Sequence, residues 1–393
     1  MDLGFLRPLY DEPGANGANG ADGGAGYVSV YLDTTPASEN AAAQVALRWR
    51  AARERLAAAG ADDATLDAVQ EAVTAPRHNA RGHAAFAVAG EVRLSVPLPA
   101  APPREIAGWA PLPHVMPLLA QYPPHVPHVR VGAGRAGGQV LAVAAAGTAE
   151  WKEASARSWP VHKVSAGGWA ERRLQLSTEE AWAENARLTA ETVATEAERI
   201  GARFVIVGGD VRERSMVLGL LPPPLRDAAV LVDKEVAPDS AAFDEAANAE
   251  STRRAAAASQ TRLDEFRVRM SGKDPAARRA VEGLGGTLAA LRDGLVSDVL
   301  ISPAAVDPGA SDPATADPEP LPAVWIGPGP ADVAATKEEL RERGVSLTVS
   351  DRGDAALVRA AAGTGAGLFF IPPDADRPRD GIGALLRAPF AAV

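Results

Sequence analysis

Cysteine is absent from the 393-residue chain. That excludes disulfides, thiol nucleophiles and cysteine-ligated zinc or iron–sulfur centres at once. No run of about eighteen apolar residues occurs, which excludes a transmembrane helix. Excess positive charge is lacking too: 40 Lys and Arg stand against 50 Asp and Glu, leaving a net charge of −10. A surface generally coated for nucleic acid is thereby excluded, though one local basic contact is not. The start, "MDLGFLRPLYDEPG", has neither the basic opening nor the apolar core of a signal peptide, so the expectation is a cytoplasmic protein.

What is present is the composition of a globular chain, 47% hydrophobic. Its length predicts two or three domains. The 37 glycines and 32 prolines are dispersed, which implies many turns rather than a fibre.

Strands alternating with helices predict an α/β, multidomain protein. An N-terminal α/β unit, 1–125, carries a glycine-rich insertion at 14–26, "GANGANGADGGAG", too poor in apolar groups to order itself. Around it lie the strand "YVSVYLD", the helices "ENAAAQVALRWRAARERLAAAG" and "DDATLDAVQEAV", and a hairpin turning at Ala89–Gly90. A central unit, 126–262, contains the strands "QVLAVAAAG", "RFVIVGGD" and "AVLVD". A long helix from Thr178 and another over "VRERSMVLGLL" connect them. An alanine-rich helix from about Ser240 to Met270 follows. The last unit, 263–393, runs helix to strand over "AARRAVEGLGGTLAALRDGLVSDVLISP" and continues through "AVWIGP", "VSLTVS" and "LFFIPP". Its linker at about 306–320 is expected to be a mobile loop, because Pro and Asp together block helix and ladder.

Several motifs lack the context their chemistry needs. "GAGRAG", Gly132 to Gly137, matches the dinucleotide fingerprint, but a strand pattern follows it where the fingerprint requires a helix. His114, His125 and His128 lie among prolines that prevent a shared helix face, and they read as loop histidines. Asp210 and Asp233 end strands, yet Asp210 is better placed as the N-cap of the next helix. No G-x-S-x-G elbow occurs. No catalytic residue, metal ligand or cofactor is assigned.

The stretch "VSAGGWAERRLQLSTEE", Val164 to Glu180, is different. Ser177 and Glu180 have capping-box spacing, and Trp182, Ala186, Ala190, Val193, Ala197 and Ile200 then form one apolar stripe. The glycine pair Gly167–Gly168 lets backbone approach a partner closely. From Arg157 to Gln175 four basic residues face one acid. Trp169 could stack on a base or ribose, with Arg172 and Arg173 on phosphate, or it could fold back onto its own domain. Both readings stand on the residues alone.

The ordered set "PVHKVSAGGWAERRLQLSTEEAWAENARLTAETV", "FVIVGGDVRERSMVLGLLP", "VLVD", a long helix and "TLAALRDGLVSDVLI" resembles the second and third domains of class-one release factors and Pelota. It is closer to their bacterial branch, which includes mycobacterial latency-associated proteins and Balon-like ribosome hibernation factors. The ending "DGIGALLRAPF" is similar to that branch, and the resemblance spans about Gly138 to the C-terminus.

The resemblance implies a central RNase H-like domain and a C-terminal L7Ae-like domain. It also implies a central loop that enters the ribosomal peptidyl-transferase centre from the A site. Release factors end that loop in Gly-Gly-Gln, whose glutamine positions the hydrolytic water. Here Gly167 and Gly168 match the glycines, and Trp169 stands in the glutamine position. An indole offers one N–H donor and no acceptor, and it is bulky where a water must fit.

The expectation is a 70S ribosome-binding factor that occupies the site without hydrolysis, with elongation factor Tu as a further partner and neither membrane nor DNA involved. Its RNA contacts would be Lys163, Gly167, Gly168, Trp169, Arg172, Arg173 and Gln175. A peptidyl-tRNA hydrolase or rescue factor, and a stress or scaffold protein that has left the ribosome, are the alternative readings.

Overall fold

The computed structural model describes residues 3–10, 26–35, 41–75, 81–98, 100–121, 126–144, 149–155, 169–233, 237–272, 278–303 and 321–389. The glycine-rich insertion (but for Gly26) and the linker at 306–320 lie outside these residues. The chain is mixed α/β, with four sheets among the described residues. It divides into two compact units, one of Met1–Tyr122 with Ala256–Val393, the other of Pro123–Ala255.

The early part of the first unit holds strand β1 (Tyr27–Asp33), helices α1 (Ala41–Ala58) and α2 (Asp63–Thr74), strands β2 (Gly82–Val88), β3 (Glu91–Leu98) and β4 (Ile106–Ala110), and helix α3 (Met116–Gln121). The strands form an antiparallel sheet in the order β3-β2-β1-β4. β2 and β3 join as expected at Ala89 and Gly90, whose φ values of 52° and 79° are those of a tight hairpin turn. Alternation along β1 sends Val28, Val30 and Leu32 towards α1 and α2, where they meet Trp49, Leu56, Leu66 and Val69. Asp62 starts α2 by accepting the Thr65 amide at 2.9 Å.

The second unit is a five-stranded sheet in the order β7-β6-β5-β8-β9. Its strands are β5 (His128–Gly134), β6 (Gly137–Val143), β7 (Ala149–Ala154), β8 (Phe204–Gly209) and β9 (Ala229–Leu231). β5, β8 and β9 run parallel, and β6 and β7 complete an antiparallel flank. Helices α4 (Trp169–Ile200), α5 (Val211–Leu220) and α6 (Pro223–Asp227) belong here. The expected stripe of α4 is real: Ala186, Ala190, Val193 and Ala197 pack on Val129, Val131, Val140, Val205 and Val207. The opposite face, with Phe204 and Ile206, is covered by Phe243 and Ala247 from the first half of α7 (Ala241–Met270).

The late part of the first unit adds β10 (Ala280–Glu282), α8 (Leu284–Arg292), β11 (Val296–Ile301), β12 (Ala323–Ile326), β13 (Val333–Ala334), α9 (Lys337–Glu342), β14 (Val349–Arg352), α10 (Gly353–Thr364), β15 (Gly367–Phe370) and β16 (Ile382–Leu386). One sheet has the order β10-β16-β11-β15, with β11 and β15 parallel. A smaller one is ordered β13-β12-β14. A strand, β10, therefore precedes the helix that opens the sequence stretch read as helix to strand. The other face of the first sheet, Tyr27, Tyr31 and Phe86, shares one hydrophobic cluster with Leu288, Val299, Leu357 and Leu368.

Polar groups reinforce that shared core. The Leu112 amide donates to Asp351 at 2.7 Å, across 239 positions of sequence. Asp354 accepts two bonds from the Arg352 guanidinium, at 2.9 and 2.7 Å, and lies 3.7 Å from His114 Nε2. Burial alone would raise the Asp354 carboxyl, but His114 and Arg352 outweigh it and hold it down at about 2. Burial raises Asp351 instead, with amide bonds from Arg352 and Leu112 opposing.

A carboxyl depressed in the folded state stabilises above its unfolded value, here 3.8, and loses that contribution as pH falls towards about 2. At roughly 1.4 kcal/mol per pKa unit the loss is about 2 kcal/mol. Urea unfolding followed from pH 4 down to pH 2 is expected to show this loss in wild type. In Asp354→Asn the same stretch of the profile is expected to be shallower by that amount. Parallel profiles would refute the assignment.

Candidate functional site

α4 begins at Trp169, not at Thr178. Ala170, Glu171, Arg172, Arg173, Leu174 and Gln175 are good helix formers, so the helix runs through Ser177 from a start further upstream. A capping box sets a start only where the residues before it resist helix, and these do not. Lys163, Gly167 and Gly168 lie outside the described residues. Trp169, Arg172, Arg173 and Gln175 all fall on the first turns of α4, with positions 169, 172 and 173 at the three- and four-residue spacing of one helix face. Position 175, three residues after 172, falls at the edge of that face.

Thirteen residues along, about 20 Å at helical rise, Trp182 is held between two exposed guanidiniums. Arg135, at the tip of the β5–β6 hairpin, lies 5.4 Å from the ring centroid, and Arg212, in the first turn of α5, lies 5.1 Å away. Each arginine is itself tethered. Arg212 pairs with Glu179 at 3.4 Å, and Arg135 with Asp210 at 3.5 Å and Glu213 at 3.8 Å. The Asn185 side chain donates to the Arg135 carbonyl at 2.9 Å, fixing the hairpin tip. Asp210 is the N-cap of α5 as expected, accepting the Arg212 amide at 2.9 Å. The neighbouring Glu213 and the Arg212 amide lower Asp210, while burial and then Asp210 raise Glu213.

Beside this clamp a cleft of about 850 Å³ opens at the carboxyl ends of β5 and β8. The glycine motif forms its floor, as the end of one strand and the start of the next, and the start of α5 reaches its rim through the N-cap Asp210. Its glycines serve close packing: a Cβ on Gly138 would stand 2.3 Å from Thr189, and one on Gly209, where φ is +109°, would stand 2.0 Å from the Ala133 carbonyl oxygen. Arg135 faces Glu153 and Asp210 in the lining, a balance unsuited to phosphate.

The histidines do not converge. His128 is not in a loop: it opens β5, is buried, stacks on Phe204 at 4.9 Å and accepts from Arg130 at 3.0 Å. His114 serves Asp354, and His125 lies outside the described residues. Among the described residues no group of three His, Asp or Glu could hold a metal, and no helix is long and apolar enough to cross a membrane. The clamp itself is not legible in the sequence, because Arg135 and Arg212 reach Trp182 from elements far apart in the chain.

Residues 127–271, which include this sheet and the whole of α4, match the model of bacterial archaeo-eukaryotic release factor family 2. The resemblance to this bacterial release-factor family thus lies in the middle of the chain. Two curated relatives, "Uncharacterized protein Rv2629" and "Uncharacterized protein MT2704" from two strains of Mycobacterium tuberculosis, are each 29% identical over 371 residues. That span is 92% of this chain and 93% of theirs.

Among solved structures, the archaeal translation termination factor aRF1 is 14% identical over 92% of both chains, with a TM-score of 0.21. Archaeoglobus fulgidus Pelota is 14% identical over 78% of this chain and 79% of its own, at 0.32. Archaeal Pelota in a ribosome-bound model with ABCE1 is 11% identical over 99% and 95%, at 0.37. Scores of this size do not carry the arrangement of those chains over to this one.

Two cation–π contacts at exposed positions are together worth roughly 1–2 kcal/mol. Trp182→Ala is therefore expected to speed amide exchange around Glu179–Glu184 by roughly 5- to 30-fold. Val193–Ala197 should keep their protection. Unchanged exchange around position 182 would show that the clamp does not hold the helix.

Proposed function

We propose that this protein is a release-factor-like, ribosome-binding factor of the hibernation or protection kind. In this reading the Gly167–Gly168–Trp169 tip fills the peptidyl-transferase centre from the A site and cuts nothing. The observation that carries it is the residue after the glycine pair, Trp169, which opens a helix of 32 residues at the position where the release factors that this chain resembles have the glutamine of Gly-Gly-Gln. A long helix anchored along its apolar stripe is a fit carrier for a tip that must reach into a narrow RNA-lined site. The indole stacks on a base or ribose, and Lys163, Arg172 and Arg173 meet phosphate. Partners are 70S ribosomal RNA and protein, with elongation factor Tu as a delivery partner.

The same reading takes the N-terminal (1–125), central (126–262, RNase H-like) and C-terminal (263–393, L7Ae-like) stretches as functional divisions, and the cytoplasm as the place of action. A hydrolase reading draws on Gln175, a glutamine on the same first turns of α4. Its position six residues after Trp169 sets it back from the tip.

Co-sedimentation with vacant 70S ribosomes tests the proposal. Wild type is expected to pellet, and binding should fall steeply with salt. Stacking alone is worth about 1–3 kcal/mol per base. A Trp169→Ala, Arg172→Ala, Arg173→Ala variant is therefore expected to bind at least roughly 5- to 150-fold more weakly. Ribosomes loaded with labelled peptidyl-tRNA should retain the peptide. Release of peptide that is lost in Gln175→Ala favours the hydrolase, and failure of wild type to pellet overturns the ribosomal reading altogether.

A further inference from the structure

His128 opens β5 with its ring buried, and the partners of its two nitrogens fix where the proton sits. Nδ1 lies 2.8 Å from the Val126 carbonyl oxygen, a group that only accepts. Nε2 lies 3.0 Å from Arg130 Nε, a group that only donates. The imidazole is therefore neutral, with its proton on Nδ1. Arg130, also buried, carries the contact on to α7. Its Nη1 donates to Asp244 at 2.6 Å and to the Pro238 carbonyl oxygen at 3.3 Å. The Ser240 amide donates to the Ala237 carbonyl at 2.9 Å and the Asp244 amide to that of Ser240 at 3.1 Å, which ties this turn to the start of the helix. Ala237 is part of the wall of the glycine-floored cleft.

A second proton on the imidazole has no place in this arrangement. It would point one N–H at another, with two like charges 3.0 Å apart in a buried setting. The remaining neighbours do not offset that. Val143 of β6 and Phe204 of β8 pair with His128 across the sheet, and the Phe204 ring stacks on it at 4.9 Å. From α7, Asp244 is engaged with Arg130, and Arg254 lies over the same Phe204 ring at 5.2 Å while pairing with Glu250 at 2.5 Å. Asp239 and Glu245, which flank Asp244 and the turn, are exposed to water. A way out for the guanidinium exists on the side of Asp244, whose side chain is 44% exposed.

We propose that His128 and Arg130 form a proton-operated latch on the start of α7. Nε2 takes one proton from solvent, the imidazolium expels the guanidinium, and no bond forms or breaks besides the new N–H. Asp244 and the Pro238 carbonyl then lose their donor, and the turn at Ala237 that walls the cleft is released from the sheet. The neutral ring belongs to the closed form. Closure is therefore complete above the ordinary imidazole value of about 6.5 and weakens as pH falls below it, by at most about tenfold per pH unit for one proton. The latch lies within the second unit and stands or falls independently of the ribosomal reading.

The test is hydrogen exchange of the full chain from about pH 7.5 down to about pH 5, corrected for the intrinsic rate. Amides of Phe243–Ala247 are expected to lose protection by up to about tenfold per pH unit below about 6.5. Val193–Ala197, on the opposite face of the sheet, should keep theirs. In His128→Gln, which sets an amide that does not titrate beside Arg130, the step at the start of α7 is expected to vanish. Nitrogen chemical shifts of the His128 ring at neutral pH should show the proton on Nδ1.

A proton found on Nε2 at neutral pH overturns the latch, since Arg130 could not then donate to that atom. So does protection of Phe243–Ala247 that is indifferent to pH, or a step that persists unchanged in His128→Gln. A loss shared equally by Val193–Ala197 overturns it as well, being general loosening in acid. Should His128→Gln not fold, the ring shifts and the wild-type slope decide between them.

Discussion

Burial of one face of α4 against the parallel core of its sheet is the constraint on which the second unit depends. The face is built from small residues, Ala186, Ala190 and Ala197, with Val193 among them, so the helix can lie close to Val129, Val131 and Val205. Close approach is also why Gly138 has no side chain: Thr189 occupies the space one would need. With that face pinned, the remaining surface of the helix is free to carry charge, as in the pairs of Arg187 with Glu184 and Glu191. Exposed pairs of this kind add little stability. The helix is held by its stripe, and the Trp182 clamp fixes it where the stripe ends.

What could be read beforehand follows from the strength of local patterns. The α4 stripe, the Ala241–Met270 helix, the Ala89–Gly90 hairpin and the Asp210 cap each rest on a few neighbouring residues whose chemistry agrees. α10 escaped notice for the opposite reason. Every residue from Gly353 to Ala362 is buried, the charged Asp354 and Arg359 included, so no exposed face sets off an apolar stripe. β7, an edge strand reading "AEWKEA", is mostly exposed and gives no apolar alternation. The start of α4 was misplaced because a well-formed capping box drew the boundary to Ser177, when the residues before it favoured helix as strongly as those after.

The candidate site divides along the same line. Its residue types, a glycine pair, a tryptophan and two arginines, could be singled out because they are contiguous. The Arg135–Trp182–Arg212 clamp could not, since its members come from a hairpin tip, a helix middle and a helix start. The reach of Leu112 to Asp351 makes the same point in the first unit. Contacts of that length are set by how sheets and helices are layered, and layering is not written in any one segment. The shared cluster of Tyr27, Tyr31, Leu288 and Leu357 is therefore visible only in the structure.

Charge tells a consistent story about where a partner can be met. The chain carries −10 overall, and its glycine-floored cleft is balanced towards acid, so neither the surface at large nor that cleft attracts phosphate. The basic excess lies instead in the segment leading into α4. A protein that binds RNA through so small a patch gains little from long-range attraction and must rely on a shaped contact at close range. An aromatic ring after two glycines suits that need, because stacking is short-ranged, while the arginines that follow it carry the salt dependence. Under the proposed ribosomal reading one residue, Trp169, would both take away the water-positioning amide of the release-factor tip and supply a stacking contact there.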